Sequence, residues 1–157
     1  MAGQETTSQF LTLVMHRQCG ETAVLDGLLD GSLRVEDVVE EGLRLVPPIP
    51  TWRRVATCDT QLDGVAIPRG RSVILWLEAA RAEVASPEFR PGHPGSRRHL
   101  AFGAGAHRSV GDQLSRMEAS VVVRHIAPML RSVKVVRPPS CPPNLSFRIP
   151  NTFLVSR

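Results

Sequence analysis

One stretch of this 157-residue chain concentrates chemistry-bearing residues: His99-Leu-Ala-Phe-Gly-Ala-Gly-Ala-His-Arg-Ser-Val-Gly111. Gly103 and Gly105 let backbone approach a flat or bulky object without Cβ clashes. Phe102 can pack on the face of that object, while His107 and Arg108 offer donors to an anion. Gly111-Asp112 opens a helix whose N-terminal dipole favours negative charge. On spacing alone, the run serves equally well as a glycine-rich connection. Its Ser-Val-Gly end also has part of the G-x-S-x-G form of a serine hydrolase. The first glycine is missing, no strand leads into Ser109, and no triad partners follow in order. Two acidic pairs stand elsewhere. Glu5-Thr6 places a carboxylate beside a hydroxyl, and Glu41 with Arg44 has the i,i+3 spacing of one helix face.

The elements that must position these residues are unevenly signalled. Thr6 to Arg17 has helical spacing, with Phe10, Leu13 and Val14 on one side. Ala23 to Leu29 reads as a short helix. Arg34 to Leu45 reads as a stronger one, with Ser32 as its N-cap and Val35, Val38, Val39 and Leu43 as its buried stripe. After Pro47-Pro48 the pattern turns to strands at Arg53–Cys58, Val65–Ile67 and Ser72–Leu77, separated by Asp63-Gly64 and Pro68-Arg69-Gly70 turns. Glu78 to Gly111 shows no periodicity and collects prolines and glycines, so it reads as a long functional loop. Asp112 then caps a long helix with a Leu114, Met117, Val121 stripe, and two weak strands follow at Ser132–Val136 and Leu145–Ile149. The fold class is mainly α with a small β-meander.

Composition narrows the partners. Hydrophobic residues at 42% and charged residues at 22% describe an ordinary globular chain. The net charge of +4 comes from scattered arginines and one lysine, Lys134, and aromatics are only 4% with no tyrosine, so a nucleic-acid surface is not indicated. No apolar run is long enough for a bilayer, and no secretory signal is visible, which makes the cytoplasm the expected location. Cys19, Cys58 and Cys141 are odd in number and far apart, against a disulfide framework or a zinc site.

Phe102 to Gly111 resembles the haem-binding loop of the cytochromes P450, Phe-Gly-x-Gly-x-His-x-Cys-x-Gly, at every defined position except one, where Ser109 replaces cysteine. Glu41-Gly-Leu-Arg44 looks like the family's E-x-x-R, and Ala2-Gly-Gln-Glu-Thr-Thr7 like its oxygen-activation motif. Val55 to Gly70 is similar to the meander after E-x-x-R in bacterial members. The resemblance implies a C-terminal part of the P450 fold over residues 1–157, with the N-terminal half absent. It implies haem as cofactor, a small organic substrate, and electrons from a ferredoxin-type donor for which Arg108 and Arg116 offer basic docking groups. By the same resemblance Glu5 and Thr6 form the acid–alcohol proton relay, and Glu41 and Arg44 form a structural ion pair. Arg54 and His107 contact the haem propionates, Phe102 lies under the haem face, Gly111 closes the loop, and Ser109 occupies the iron-ligand position. A thiolate there would favour O–O cleavage by donating electron density to iron; a serine hydroxyl is a far weaker ligand. Monooxygenase activity is therefore expected to be lost or reduced. The alternative is a non-catalytic P450-like auxiliary protein that stabilises a partner enzyme. Ala80-Arg81-Ala82-Glu83 departs from the family's Asn-Arg-Asp-Pro.

Overall fold

The computed structural model describes residues 2–82 and 87–157. Three helices come first: α1 (Ala2–Gln18), α2 (Thr22–Asp30) and α3 (Val35–Leu45). Four short strands follow, β1 (Thr51–Val55), β2 (Thr60–Leu62), β3 (Val65–Ile67) and β4 (Ser72–Trp76), then α4 (Leu77–Ala82). A 3₁₀ turn at Gly105–His107 precedes α5 (Asp112–Leu130), and β5 (Lys134–Arg137) pairs with β6 (Leu154–Ser156) at the end.

The core lies where α1, α2, α3 and α5 meet. Phe10 and Val14 of α1, Val35, Val38, Val39 and Leu43 of α3, and Ala119 and Val123 of α5 form one buried cluster. The face expected for α1 and the stripe expected for α3 are the ones buried. Gly42 is what lets α1 and α3 touch: a Cβ there would sit 2.6 Å from Val14 Cγ2 and 3.2 Å from the Phe10 ring. Ser32 does not cap α3. Arg34 holds the cap position without a side-chain bond, while the Ser32 amide donates to Asp30 Oδ1 at 2.8 Å and so closes α2 instead. Asp112 likewise is the first residue of α5 rather than its cap.

On α5 the buried face is Ala119, Val123, Ala127 and Leu130. Leu114, Met117 and Val121, the stripe read from the sequence, point outward and are more than half exposed. The reason is steric: α1, α2 and α3 all pack on this helix, and small side chains allow that approach where large ones would not.

The strands pair in a nested way. β1 lies antiparallel to β4, from Thr51 opposite Trp76 to Val55 opposite Ser72, and the β2–β3 hairpin is enclosed between them. Asp63 (φ 48°) and Gly64 (φ 81°) are both left-handed, as a two-residue turn of matching twist requires. Three sequence-based boundaries change. β1 starts and ends earlier than expected, Leu77 and Glu78 open α4 rather than closing a strand and starting a loop, and Leu145–Ile149 is not a strand. Within that last segment the Ser146 and Phe147 amides donate to Asn144 Oδ1, at 2.8 and 3.1 Å, and so are not offered to a ladder. It lies along the start of β1 instead, with the Arg148 amide donating to the Pro48 carbonyl at 2.8 Å and Thr51 Oγ1 donating to the Leu145 carbonyl. In Ala80-Arg81-Ala82-Glu83 the first three residues belong to α4; Glu83 lies outside the described residues.

Candidate functional site

A cavity of about 520 Å³ opens between the N-terminal half of α1 and the 101–111 loop. Glu5, Thr6, Thr7 and Phe10 line it from α1; Phe102, His107, Ser109, Val110 and Gly111 line it from the loop. Pro48, Ile49, Trp52 and Phe147 close its side. The geometry brings together six of the expected site residues, Glu5, Thr6, Phe102, His107, Ser109 and Gly111, from two segments distant in the chain.

Arg54 is not among the lining residues. It lies exposed on β1, donating to the Arg53 carbonyl at 3.0 Å, with its guanidinium 5.6 Å from the centre of the Trp52 ring. Trp52, two residues earlier on the same strand face, is the residue that reaches the cavity wall.

The loop is held closed by its own backbone. The Ser109 amide donates to the Phe102 carbonyl at 2.9 Å, Gly103 to Leu100 at 2.9 Å, and Arg108 to Gly105 at 3.1 Å. Gly103 (φ 71°) and Gly105 (φ 65°) are both in the left-handed region, which a side chain at either position would strain. Ser109 Oγ accepts the Gly111 amide at 3.3 Å. At the junction of α1 and α5, Thr7 Oγ1 and Ser115 Oγ are 3.4 Å apart. None of the three cysteines lines the cavity. Cys19 is half-buried, and that burial pushes its thiol up, away from thiolate.

Beneath the loop, two consecutive glutamates on α3 serve opposite ends of it. Glu41 is fully buried and receives Arg44 bidentately, at 2.7 and 2.9 Å. Its Oε1 also accepts the Arg90 amide at 2.8 Å, and Arg44 donates to the Glu88 carbonyl at 3.1 Å. This pair therefore ties α3 to the segment entering the loop. Burial alone would raise the Glu41 carboxyl, but the bonds from Arg44, Arg90 and Ser96 outweigh it and hold it below the usual range.

Glu40 does the same at the other end. Its Oε2 accepts His99 Nε2 at 3.1 Å and its Oε1 accepts Arg116 Nε at 2.5 Å. The Ala101 amide donates to His99 Nδ1 at 3.3 Å, so Nε2 is the nitrogen that carries the hydrogen toward Glu40. Burial works against the Glu40 charge, yet the bonds from His99 and Arg116 and the charge of Arg116 bring its pKa to about 2. Arg116 also reaches Asp112 Oδ2 at 3.3 Å, and Arg108 donates to the same carboxylate at 2.6 and 3.0 Å. Arg116 is thus turned inward rather than offered as a docking cation, and Arg108 is engaged as well. Glu40, His99 and Asp112 were not anticipated in these roles. The sole sequence signal was the doubled acid at 40–41, of which only the second has a motif.

The family model for Cytochrome P450 matches residues 34–148. Cytochrome P450 109 of Bacillus spizizenii is 33% identical over 136 residues, 82% of this chain and 33% of that protein. The 20-oxo-5-O-mycaminosyltylactone 23-monooxygenase of Streptomyces fradiae is 35% identical over 142 residues, covering 85% of this chain and 32% of its own length. Among solved structures, cytochrome P450 CREJ superposes with a TM-score of 0.89 at 30% identity over 99% of this chain and 40% of its own. P450 OxyD, involved in the biosynthesis of vancomycin-type antibiotics, gives 0.88 at 35% identity, over 96% and 39%. This chain spans about a third of the length of those curated relatives. With its helices, nested strands and glycine loop superposing on such structures, and with the family's model running from α3 past the loop to Arg148, the chain is a portion of the P450 fold and a member of the cytochrome P450 family, whose cofactor is haem.

Proposed function

We propose that the cavity between α1 and the 101–111 loop is a haem site, belonging to a monooxygenase that acts on a small organic molecule with electrons from a ferredoxin-type donor in the cytoplasm. The observation that carries this reading is the shared cavity. Its α1 wall supplies the Glu5–Thr6 carboxylate–hydroxyl pair and its loop wall supplies Phe102, His107 and Ser109.

The residues fit the macrocycle better than they fit the iron. An apolar wall of Phe10, Leu43, Ile49, Trp52, Phe102 and Val110 suits a flat aromatic plane, and the left-handed glycines keep Cβ atoms off the loop. His107 supplies a polar group at the rim for a propionate. The donor at the iron-ligand position is a hydroxyl, already accepting the Gly111 amide, and no cysteine lines the cavity to replace it. A hydroxyl does not supply the electron density on which the family's oxygen chemistry depends. Haem retention with monooxygenation lost or severely reduced is therefore the expected state of this chain.

Haem titration followed by reduction and carbon monoxide addition tests both halves. The expected result is a haem complex without a thiolate-type spectrum, with that spectrum appearing in Ser109→Cys. Efficient hydroxylation by the unaltered chain would overturn the impairment, and absence of any haem uptake would overturn the site. A second reading, an auxiliary protein that stabilises a partner enzyme, is supported by the exposed apolar stripe of Leu114, Met117 and Val121 on α5. The two readings part on haem, which the auxiliary role does not require.

A further inference from the structure

Arg116 does two things at once. Its Nε is bonded to the buried Glu40 carboxylate, and its guanidinium carbon lies 4.6 Å from the centre of the Phe102 ring. That ring lines the cavity. A second contact comes from His99, which shares Glu40 with Arg116 and has its ring centre 6.4 Å from that of Phe102. Glu40 and His99 side chains are almost wholly buried, and Arg116 is largely so. A buried carboxylate costs stability unless its partners satisfy it, so a charge kept here is held by at least two groups whose positions it fixes in return. Both groups touch the same aromatic ring. An ion pair serving only to join α3 to α5 would need no contact with the cavity wall.

We propose that Glu40 and Arg116 are positioning residues for the cavity floor: Glu40 orients the Arg116 guanidinium, and Arg116 fixes the Phe102 ring at the angle a haem face meets. Neither residue touches the cavity; both act through Phe102. The division of labour with the neighbouring pair is spatial. Glu41–Arg44 holds the segment at 88–90, whereas Glu40–Arg116 holds the ring itself. The inference rests on the haem-site reading for its functional meaning, but the geometry it asserts belongs to the haem-free chain as well.

The test labels the five phenylalanines with 4-fluorophenylalanine, assigns the Phe102 fluorine resonance with Phe102→Leu, and follows it alongside haem affinity. Arg116→Gln removes the cation and is expected to move the Phe102 resonance and weaken haem binding roughly tenfold, the scale of a desolvated cation–ring contact. Glu40→Gln, which keeps shape and removes charge, moves both in the same direction. Arg116→Lys keeps a cation and with it the fold; it restores haem affinity to within about threefold of the parent and shifts the resonance by a smaller amount. Arg131→Gln breaks the ion pair with Asp26 far from the cavity and leaves both readouts unchanged. Resonance and affinity unmoved in the Glu40 and Arg116 variants, or moved equally in Arg131→Gln, overturns the proposal. If the parent takes up no haem, the site reading fails separately. The positioning claim is then decided by the fluorine resonance of the haem-free chain, where an unmoved signal overturns it.

Discussion

At Glu40, burial and charge pull in opposite directions, and the outcome has a sign that can be measured. A carboxylate whose folded pKa is lowered stabilises the fold above its unfolded value, near 4.5, and the benefit disappears as pH falls through the folded value near 2. Stability should therefore fall by roughly 3 kcal/mol across that window from this group alone. Denaturant melts at successive pH values check it: Glu40→Gln should be less stable at neutral pH and show a shallower acid slope. Gln18 presents the reverse case. It is fully buried at the end of α1 with neither amide atom partnered. Gln18→Met fills a similar volume without the stranded amide, and should raise stability by about 1–2 kcal/mol in a thermal melt. At this scale the sequence was readable where a motif existed. Glu41, Arg44, Phe102 and Ser109 could be singled out by their resemblance to family motifs, whereas no motif marks Glu40, whose partners stand 59 and 76 positions away.

Helix α3 shows how an element can invert a propensity rule. In an exposed helix, glycine to alanine gains up to about 1 kcal/mol. At Gly42 the added methyl would meet Val14, a fully buried side chain that a helix restricts to one strongly preferred rotamer, so the neighbour cannot yield. Gly42→Ala should instead destabilise by about 1–3 kcal/mol, the range for overpacking, and urea unfolding reads the difference directly. The same packing explains which elements were legible in the sequence. The α3 stripe is large and periodic, and it faces the core as read. On α5 the large apolar residues and the buried ones are different sets, because contact with three helices selects Ala119 and Ala127 for their size. Hydrophobicity counts see the bulk of Leu114 and Met117; they do not see the distance of closest approach.

Taken whole, the molecule carries more exposed apolar surface than its helical core suggests. Val110 is fully exposed, and Leu114, Met117, Val121, Val55, Ile74 and Trp76 are each close to half exposed or more. The relatives it superposes on are more than twice as long, so this surface belongs to a portion of a larger fold. Exposed positions contribute little to stability, and Leu114→Gln, Met117→Gln and Val121→Thr together should change it by no more than about 0.5 kcal/mol per site. Solubility should rise and binding of an apolar dye should fall, measured by light scattering and dye fluorescence. The overall class, helices around a few short strands with a glycine loop leading into a helix, followed from periodicity and turn chemistry. The nested pairing did not, since nothing local distinguishes β1 meeting β4 from β1 meeting β2.

That nesting has a kinetic corollary. Closing β1 onto β4 from an open chain means bringing Val55 to Ser72 across the whole of residues 56–71, and entropy charges for every freely moving residue in the gap. If the Asp63-Gly64 turn zips β2 to β3 first, half of that gap is already closed, and the second closure starts from a shorter tether. The inner hairpin forms on the microsecond scale of local contacts, and the outer pair inherits its speed. Trp52, carried on β1 and facing the cavity, reaches its place only after the outer pair has closed. In that order the Trp52 wall of the cavity is completed after the inner hairpin, and its assembly is timed by a two-residue turn that does not line it.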